Sequence, residues 1–296
     1  MKLKYNVQNP MNETTPHQDT RPRKKIVATT IGITIFAFGA IYSGYEISKT
    51  EVDINYRLIS PVLFLAVISA LLSSLRFQLS GLLFKIRIPY KDAITVISYG
   101  TLANLLPVPG ALIIRFEYLR KKAGAQRSSF IQILGILVWF SVGFLFLSSI
   151  TTGSYTVLSL AFSAAMFLSG IYLALQTNMS KVHFFTLYLV QISMTCLNIT
   201  KLWLLFTILS LHVSLSLPVA LAITDIVAST SAIVPSGIGI AESAAATVTT
   251  LFEMHPSIGF VVASLNRVSM WTALLVLLVF AKLYSGNEAK EKGDSK

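Results

Sequence analysis

The stretch IVPSGIGIAES, residues 233–243, places Pro235, Ser236, Gly237 and Gly239 inside a long apolar segment and follows them with Glu242. An ordinary spanning helix avoids this composition. Pro235 has no backbone N–H to donate, and it disfavours helix at Val234. Gly237 and Gly239 permit backbone geometries that other residues resist. Ser236 reads as the N-cap of a helix continuing through IAESAAATVTTLF. A helix start near the membrane interior presents free N–H groups and the positive end of a dipole, which attract anions, phosphate included. Glu242 sits about one turn into that helix, placed to gate the site, pair with a cation or take up a proton.

A second break, NLLPVPGALIIRFEYLR from Asn104, offers matching parts. Pro107, Pro109 and Gly110 interrupt the helix, and Asn104 supplies an amide there. Arg115 follows within two turns and carries the fork of donors that holds a phosphate.

The chain has 296 residues, 54% of them hydrophobic and 12% charged, with a mean hydropathy of +0.68. Soluble domains carry roughly 25% charged residues. Long apolar stretches recur from Ile26 to Tyr284, the pattern of an all-α polytopic membrane protein. The expected organisation is a polar, basic tail over 1–25, a transmembrane domain over 26–284 and a short cytoplasmic tail over 285–296. Neither tail is long enough to fold alone, so a soluble catalytic domain is not expected. The net charge of +11 fits cytoplasmic loops rather than nucleic-acid binding. Cys196 is the only cysteine, so no disulfide framework can form within the chain. The first residues do not read as a secretory signal, because the basic cluster Arg21–Lys25 comes late and the apolar run after it is long enough to stay in the membrane.

Full-length apolar candidates cover 26–45, 58–84, 130–150, 155–176, 183–211 and 256–284; the stretches 93–114 and 218–254 hold the breaks. If each interrupted stretch enters and leaves on one side, nineteen of the 24 Lys and Arg residues face the cytoplasm. Lys49 and Arg57 then face outward, in a loop with Glu46, Glu51 and Asp53. A single crossing by 93–114 would put RFEYLRKKAGAQR outside, against the positive-inside rule. The charges therefore predict about six transmembrane helices plus two re-entrant broken-helix hairpins, in the plasma or inner membrane, with both termini cytoplasmic. Kinked spanning helices are the alternative. Non-helical backbone at membrane depth must be surrounded by protein or water, so the hairpins should line a cavity. The units 58–150 and 183–284 then run in opposite orientations, an inverted-repeat-like arrangement that points to a midplane transport site.

Ionisable groups inside a membrane face a cavity and pair. Asn266 and Arg267 fall mid-span, Asn198 and Lys201 lie in the outer half of 183–211, and Asp225 lies in the descending arm of the second hairpin. Glu242 and Arg267, on neighbouring segments, are the expected pair. Simpler roles stand beside these: Arg115 as an interface anchor and Arg267 in a purely structural ion pair. Arg76, within snorkelling reach of the inner surface, reads as an anchor. His183, His212 and His255 flank span ends and read as interfacial, and no spacing resembles a metal site. GTLANLLPVPG lacks the Gly-Lys-Ser/Thr ending of a phosphate-cradling loop. The basic run near Arg21 and Arg23 reads as attraction to anionic lipid.

At its two broken segments the sequence resembles the transmembrane region of lysylphosphatidylglycerol synthases, the flippase-like domain family. NLLPVPGALIIR, with Asn104, Leu106, Pro107 and Arg115, resembles that family's Asn/Leu-Pro motif and its following Arg. VPSGIGIAE, with Pro235, Gly237, Gly239 and Glu242, resembles its Pro-x-Pro-Gly-Gly-x-Gly-x-x-Glu motif, and Asn266-Arg267 looks like its late Arg. The resemblance covers about Ile26 to Tyr284. Two departures stand out: the family's Gly-Glu is Ala111-Leu112 here, and the second motif has one glycine fewer, with Ser236 intervening. The resemblance implies lipid flipping or a related membrane-transport role. Lipid aminoacylation is not implied, because the aminoacyl-transferase domain of the bifunctional members is not part of this sequence.

The expected function is translocating or binding a lipid with an anionic or zwitterionic headgroup, phospholipid or lipid-linked, in cell-envelope lipid metabolism. Asn104, Pro107, Gly110, Arg115, Pro235, Ser236, Gly237, Gly239, Glu242, Asn266 and Arg267 would line the site. Arg115 and Arg267 would hold phosphate or carboxylate, the backbone over 236–239 would cap it, and Glu242 would pair or switch. No catalytic constellation is recognised, and no cofactor, metal or nucleic acid is expected. A homo-oligomer or an envelope-synthesis partner stays open. The rivals are an intramembrane transferase on a lipid-linked substrate and a non-transporting partner of an envelope-synthesis complex.

Overall fold

The described helices are of two lengths. The computed structural model describes residues 34, 37–39, 41–46, 54–103, 110–176, 181–230 and 239–294. The long helices are α1 (Ile59–Leu83), then α4 (Ala125–Ser148), α5 (Ser154–Gln176), α6 (Lys181–Ile208) and α9 (Pro256–Asp294). Between them lie four short ones: α2 (Tyr90–Ala103), α3 (Gly110–Ala123), α7 (Ser216–Thr230) and α8 (Ile240–Leu251). Five helical segments, Tyr56–Leu83, Ala125–Ser148, Ser154–Leu175, Lys181–Ile208 and Pro256–Ala281, are long and apolar enough to cross a membrane. The chain is thus an all-α, multi-pass membrane protein, with no strand among the described residues. Large apolar side chains such as Phe64, Leu168 and Phe280 cover its exterior, as a lipid-facing surface requires. The expected span over 26–45 lies largely outside the described residues, although 41–46 are helical.

None of the short helices is by itself long enough to cross. At 1.5 Å per residue, the 14 residues of α2 and the 14 of α3 reach about 21 Å each, against a hydrocarbon core of about 30 Å. They pack side by side as an antiparallel hairpin. Next to the break, a Cβ on Gly100 would lie 3.2 Å from Ala111 Cα. At the far end the Tyr118 hydroxyl donates to Asp92 Oδ2 at 2.7 Å, and Lys122 Nζ lies 3.5 Å from the same oxygen. Helices α2 and α3 therefore run antiparallel.

The charged stretch RFEYLRKKAGAQR, which the charge pattern expects on the cytoplasmic side, is helical. It forms the end of α3 and the start of α4, divided at Gly124, whose φ of 84° supplies the turn. Its Arg, Glu, Leu, Lys and Ala are strong helix formers. Arg120 pairs with Glu117 one turn back at 2.8 Å, and Arg120, Lys121 and Lys122 complement the negative end of the α3 dipole.

The two halves repeat one pattern of contacts. Helices α2 and α3 pack together, and so do α7 and α8; α1 packs on α2 as α6 packs on α7. Across the halves, α9 packs on α2 as α4 packs on α7. The first helix of each half runs antiparallel to the other. The Asn55 N–H, just before α1, donates to Ile208 O at the end of α6 at 2.9 Å, and farther along Arg76 meets Gln191.

The apolar core is divided accordingly. One cluster joins the C-terminal part of α1 (Phe77, Leu83) and the N-terminal part of α6 (Phe184, Leu187) to Val96, Ile97 and Leu119 of the first hairpin. The other joins Val62 near the start of α1 and Leu202, Phe206 late in α6 to Leu217, Ala222 and Ala245 of the second. The hairpins sit at opposite ends of the bundle. Helix α5 connects the halves and packs on α4, where Ser141 and Ser163 exchange hydroxyl-to-carbonyl bonds of 2.9 and 2.8 Å. Small polar residues bring membrane helices close in this way. Helix α9 continues through Asp294, so most of the predicted 285–296 tail extends the last helix.

Candidate functional site

On α6, Asn198 and Lys201 stand three residues apart and therefore share a helix face. That face meets Asp225, in the middle of α7, and Asn266, midway along the spanning part of α9. The Asn266 amide donates to Asp225 Oδ2 at 3.0 Å and to Asn198 Oδ1 at 3.3 Å, while the Asn198 amide reaches Asp225 Oδ2 at 3.4 Å. Lys201, only 3% exposed, and Arg267 both lie within electrostatic reach of Asp225.

Glu242 completes this cluster from α8. It is fully buried, and its Oε1 lies 3.1 Å from Arg267 Nε, the pairing expected from the sequence. Its other oxygen, Oε2, accepts the Gly239 N–H at 2.8 Å. The N-cap of α8 is Gly239, not Ser236 as expected, and the helix begins at Ile240. The reason lies in the backbone: Gly239 has φ 84°, a conformation that a side chain disfavours, and the carboxylate three residues on reaches back to cap the turn. Glu242 thus already occupies the helix start that was expected to receive a ligand anion. Asp225 and Glu242 balance Lys201 and Arg267 in charge, and an unpaired charge at this depth costs at least ~2.5–3.5 kcal/mol on insertion scales.

A second cluster lies toward the first hairpin. Arg76, expected to snorkel outward as an anchor, instead turns inward: its Nη1 donates to Gln191 Oε1 at 2.6 Å, and its guanidinium lies 5.0 Å from the centre of the Trp139 ring. The amide partner and the ring face on neighbouring helices hold it there. Arg115 projects from α3 where that helix meets α1, the rings of Tyr118 and Phe77 lying 6.1 Å apart; it stands within electrostatic reach of Arg76, and its buried Nε has no hydrogen-bond partner. Seven residues separate Gln191 from Asn198 on α6, so the clusters stand about 10 Å apart along that helix.

Of the predicted site residues, Glu242, Asn266 and Arg267 come together, Gly239 caps α8, and Gly110 opens α3. Arg115 belongs to the other cluster. Asn104, Pro107, Pro235, Ser236 and Gly237 lie outside the described residues. Among the described residues no three His, Cys, Asp or Glu side chains group as metal ligands. No family model matches the chain, and no curated protein matches it.

Gln191 and Trp139 were not singled out by sequence. A glutamine deep in an apolar span is a usable signal, because its amide needs a partner there. The partner, Arg76, lies 115 residues away. Trp139 carries no such signal.

Proposed function

We propose that this chain is a flippase-like carrier that moves a lipid with an anionic or zwitterionic headgroup across the bilayer. In this reading it has six spans, two re-entrant hairpins entering from opposite faces, and both termini in the cytoplasm. The antiparallel fold of α2 on α3, the shortness of all four arms and the matching contacts of the two halves support that arrangement, as does the resemblance of the two broken motifs to the flippase-like family.

The observation that carries the proposal is the internal set Asp225, Glu242, Lys201 and Arg267, drawn from α6, α7, α8 and α9, with Glu242 and Lys201 buried outright. A helix bundle is often as stable with apolar residues in place of such a network, so the network calls for a functional reason. Glu242, bound to both Arg267 and the α8 start, acts as an internal stand-in for a headgroup. An arriving phosphate or carboxylate displaces it, takes over the same donors, and leaves Glu242 to pair elsewhere or take up a proton.

The test is lipid movement in vesicles holding the purified protein, followed by quenching of headgroup-labelled phospholipids from outside. Transport requires movement in the wild type and its loss in Glu242→Gln and Asp225→Asn variants that remain folded. A complete lack of movement with anionic and zwitterionic headgroups alike removes the proposal. A product formed in detergent, with no second compartment, favours the transferase instead.

A further inference from the structure

The two buried clusters differ in charge, and the difference assigns a ligand to the second. Around Asp225 and Glu242, acids and cations are matched. Around Arg76 and Arg115 they are not. The acids nearest in sequence to Arg115 are engaged elsewhere: Glu117 pairs with Arg120, and Asp92 takes Tyr118 and Lys122. Among the described residues neither arginine has a carboxylate partner. Two partly buried guanidiniums facing each other with no acid between them make a costly arrangement that folding alone does not explain.

The surroundings fix Arg76 for binding rather than neutralise it. The Gln191 amide is committed at both ends, Oε1 to Arg76 and Nε2 to Thr195 Oγ1 at 3.4 Å, so it presents an oxygen to one guanidinium nitrogen and leaves the others. Trp139 steadies the guanidinium face. Arg115 arrives from the second arm of the hairpin, just beyond the break, with Nε buried and open to an acceptor.

We propose that Arg76 and Arg115, oriented by Gln191 and Trp139, form a partly buried site for a phosphate group, distinct from the charge-matched cluster on α6–α9. Two planar forks can grip different oxygens of one tetrahedral phosphate, whereas a carboxylate is used up by a single fork. A phosphodiester or monoester supplies the missing negative charge. The carrier reading bears on one point only, that a lipid headgroup is the source of the phosphate; the binding itself does not depend on transport.

Binding is measured on the purified full chain in detergent with three probes: inorganic phosphate, short-chain phosphatidylglycerol, and the matching diacylglycerol, which lacks the phosphate. The expected result is binding of the phosphatidylglycerol probe and not of diacylglycerol, weakened about tenfold or more in both Arg76→Gln and Arg115→Gln. The same dependence seen with inorganic phosphate alone keeps the site and makes free phosphate its ligand. Without probe, both variants should melt at or above the wild-type temperature, because each relieves an unmatched buried charge. Binding that is absent, or unchanged by both substitutions, overturns the site. So does a fall in melting temperature or failure to fold in both variants, which would make the arginines structural. Intact binding without lipid movement sinks the carrier reading and leaves the site standing.

Discussion

Glu242 Oε1 lies 3.1 Å from Arg267 Nε across the contact of α8 with α9, deep in the bundle, while the same carboxylate caps its own helix through Gly239. Removing the carboxylate therefore leaves the cluster one acid short and uncaps a helix at once. Glu242→Ala should lower unfolding stability by about 3–5 kcal/mol, the range for breaking a buried pair. Glu242→Gln keeps a capping oxygen and should lose less. The double variant Glu242→Gln/Arg267→Gln should recover part of that loss, since no charge is left unmatched. Thermal or denaturant unfolding of the four proteins measures the coupling, and strictly additive effects would count against the pair.

The α8–α9 contact depends on Gly259. A Cβ there would overlap the Ala245 carbonyl oxygen and the Thr249 side chain. Gly259→Ala should cost about 1–3 kcal/mol by overpacking. It should also slow lipid movement, because pushing the helices apart separates Glu242 from Arg267. A variant as stable and as active as the wild type would mean the contact relaxes freely.

Lys201 is nearly fully buried beside Asp225. Asp225→Asn removes the opposite charge and leaves the amides of Asn198 and Asn266 facing another amide. Lipid movement should fall at least about tenfold and stability by roughly 2–4 kcal/mol. Lys201→Met in the same background should restore stability without restoring movement, read by melting curves and vesicle assays side by side.

The hairpins predict a labelling pattern. With the exposed Cys196 replaced by serine, single cysteines at Lys91 and Lys122 should both react with an impermeant maleimide from the side that carries the termini. Cysteines at Leu215 and Leu251 should react from the other side. Reaction of positions 91 and 122 from different sides would mean that the stretch crosses the membrane, and the carrier arrangement would fall with it.

The clasp at the base of the first hairpin should matter little. Tyr118→Phe removes the 2.7 Å bond to Asp92, and the partly exposed Lys122–Asp92 pair remains, so the loss should stay near 1 kcal/mol. A larger drop in melting temperature would show that the open end, rather than the apolar packing around Ile97 and Leu119, holds the hairpin closed.

Much of the architecture was legible from the chain alone, because hydrocarbon imposes a length on every crossing helix and proline and glycine mark where helices stop. The spans near 58–84 and 183–211 follow from that, as do the short helices on either side of NLLPVPG and VPSGIG. The Glu242–Arg267 pair was also within reach, since adjacent antiparallel segments bring such residues face to face. Other details gave way to local chemistry. RFEYLRKKAGAQR is read only for its charge, and its helix propensity carries it into α3 and α4. Ser236 is a better N-cap by type than Gly239, but the backbone turn came three residues later, where a positive φ was needed and Glu242 could reach back.

Sequence by itself determined that this is a helical membrane protein with two interrupted segments and a few charges inside it, because burial in lipid forbids most alternatives to helix and makes each internal charge conspicuous. Beyond the Glu242–Arg267 pair, only the tertiary structure decided which internal polar groups meet. Arg76 and Gln191 stand 115 residues apart, and nothing in either neighbourhood records the other; the antiparallel packing of α1 on α6 joins them. The same packing separates Arg115 from Arg267, so one cluster is neutral and the other is left positive, because partnership inside a bundle is set by which helix faces which and not by the order of residues along the chain.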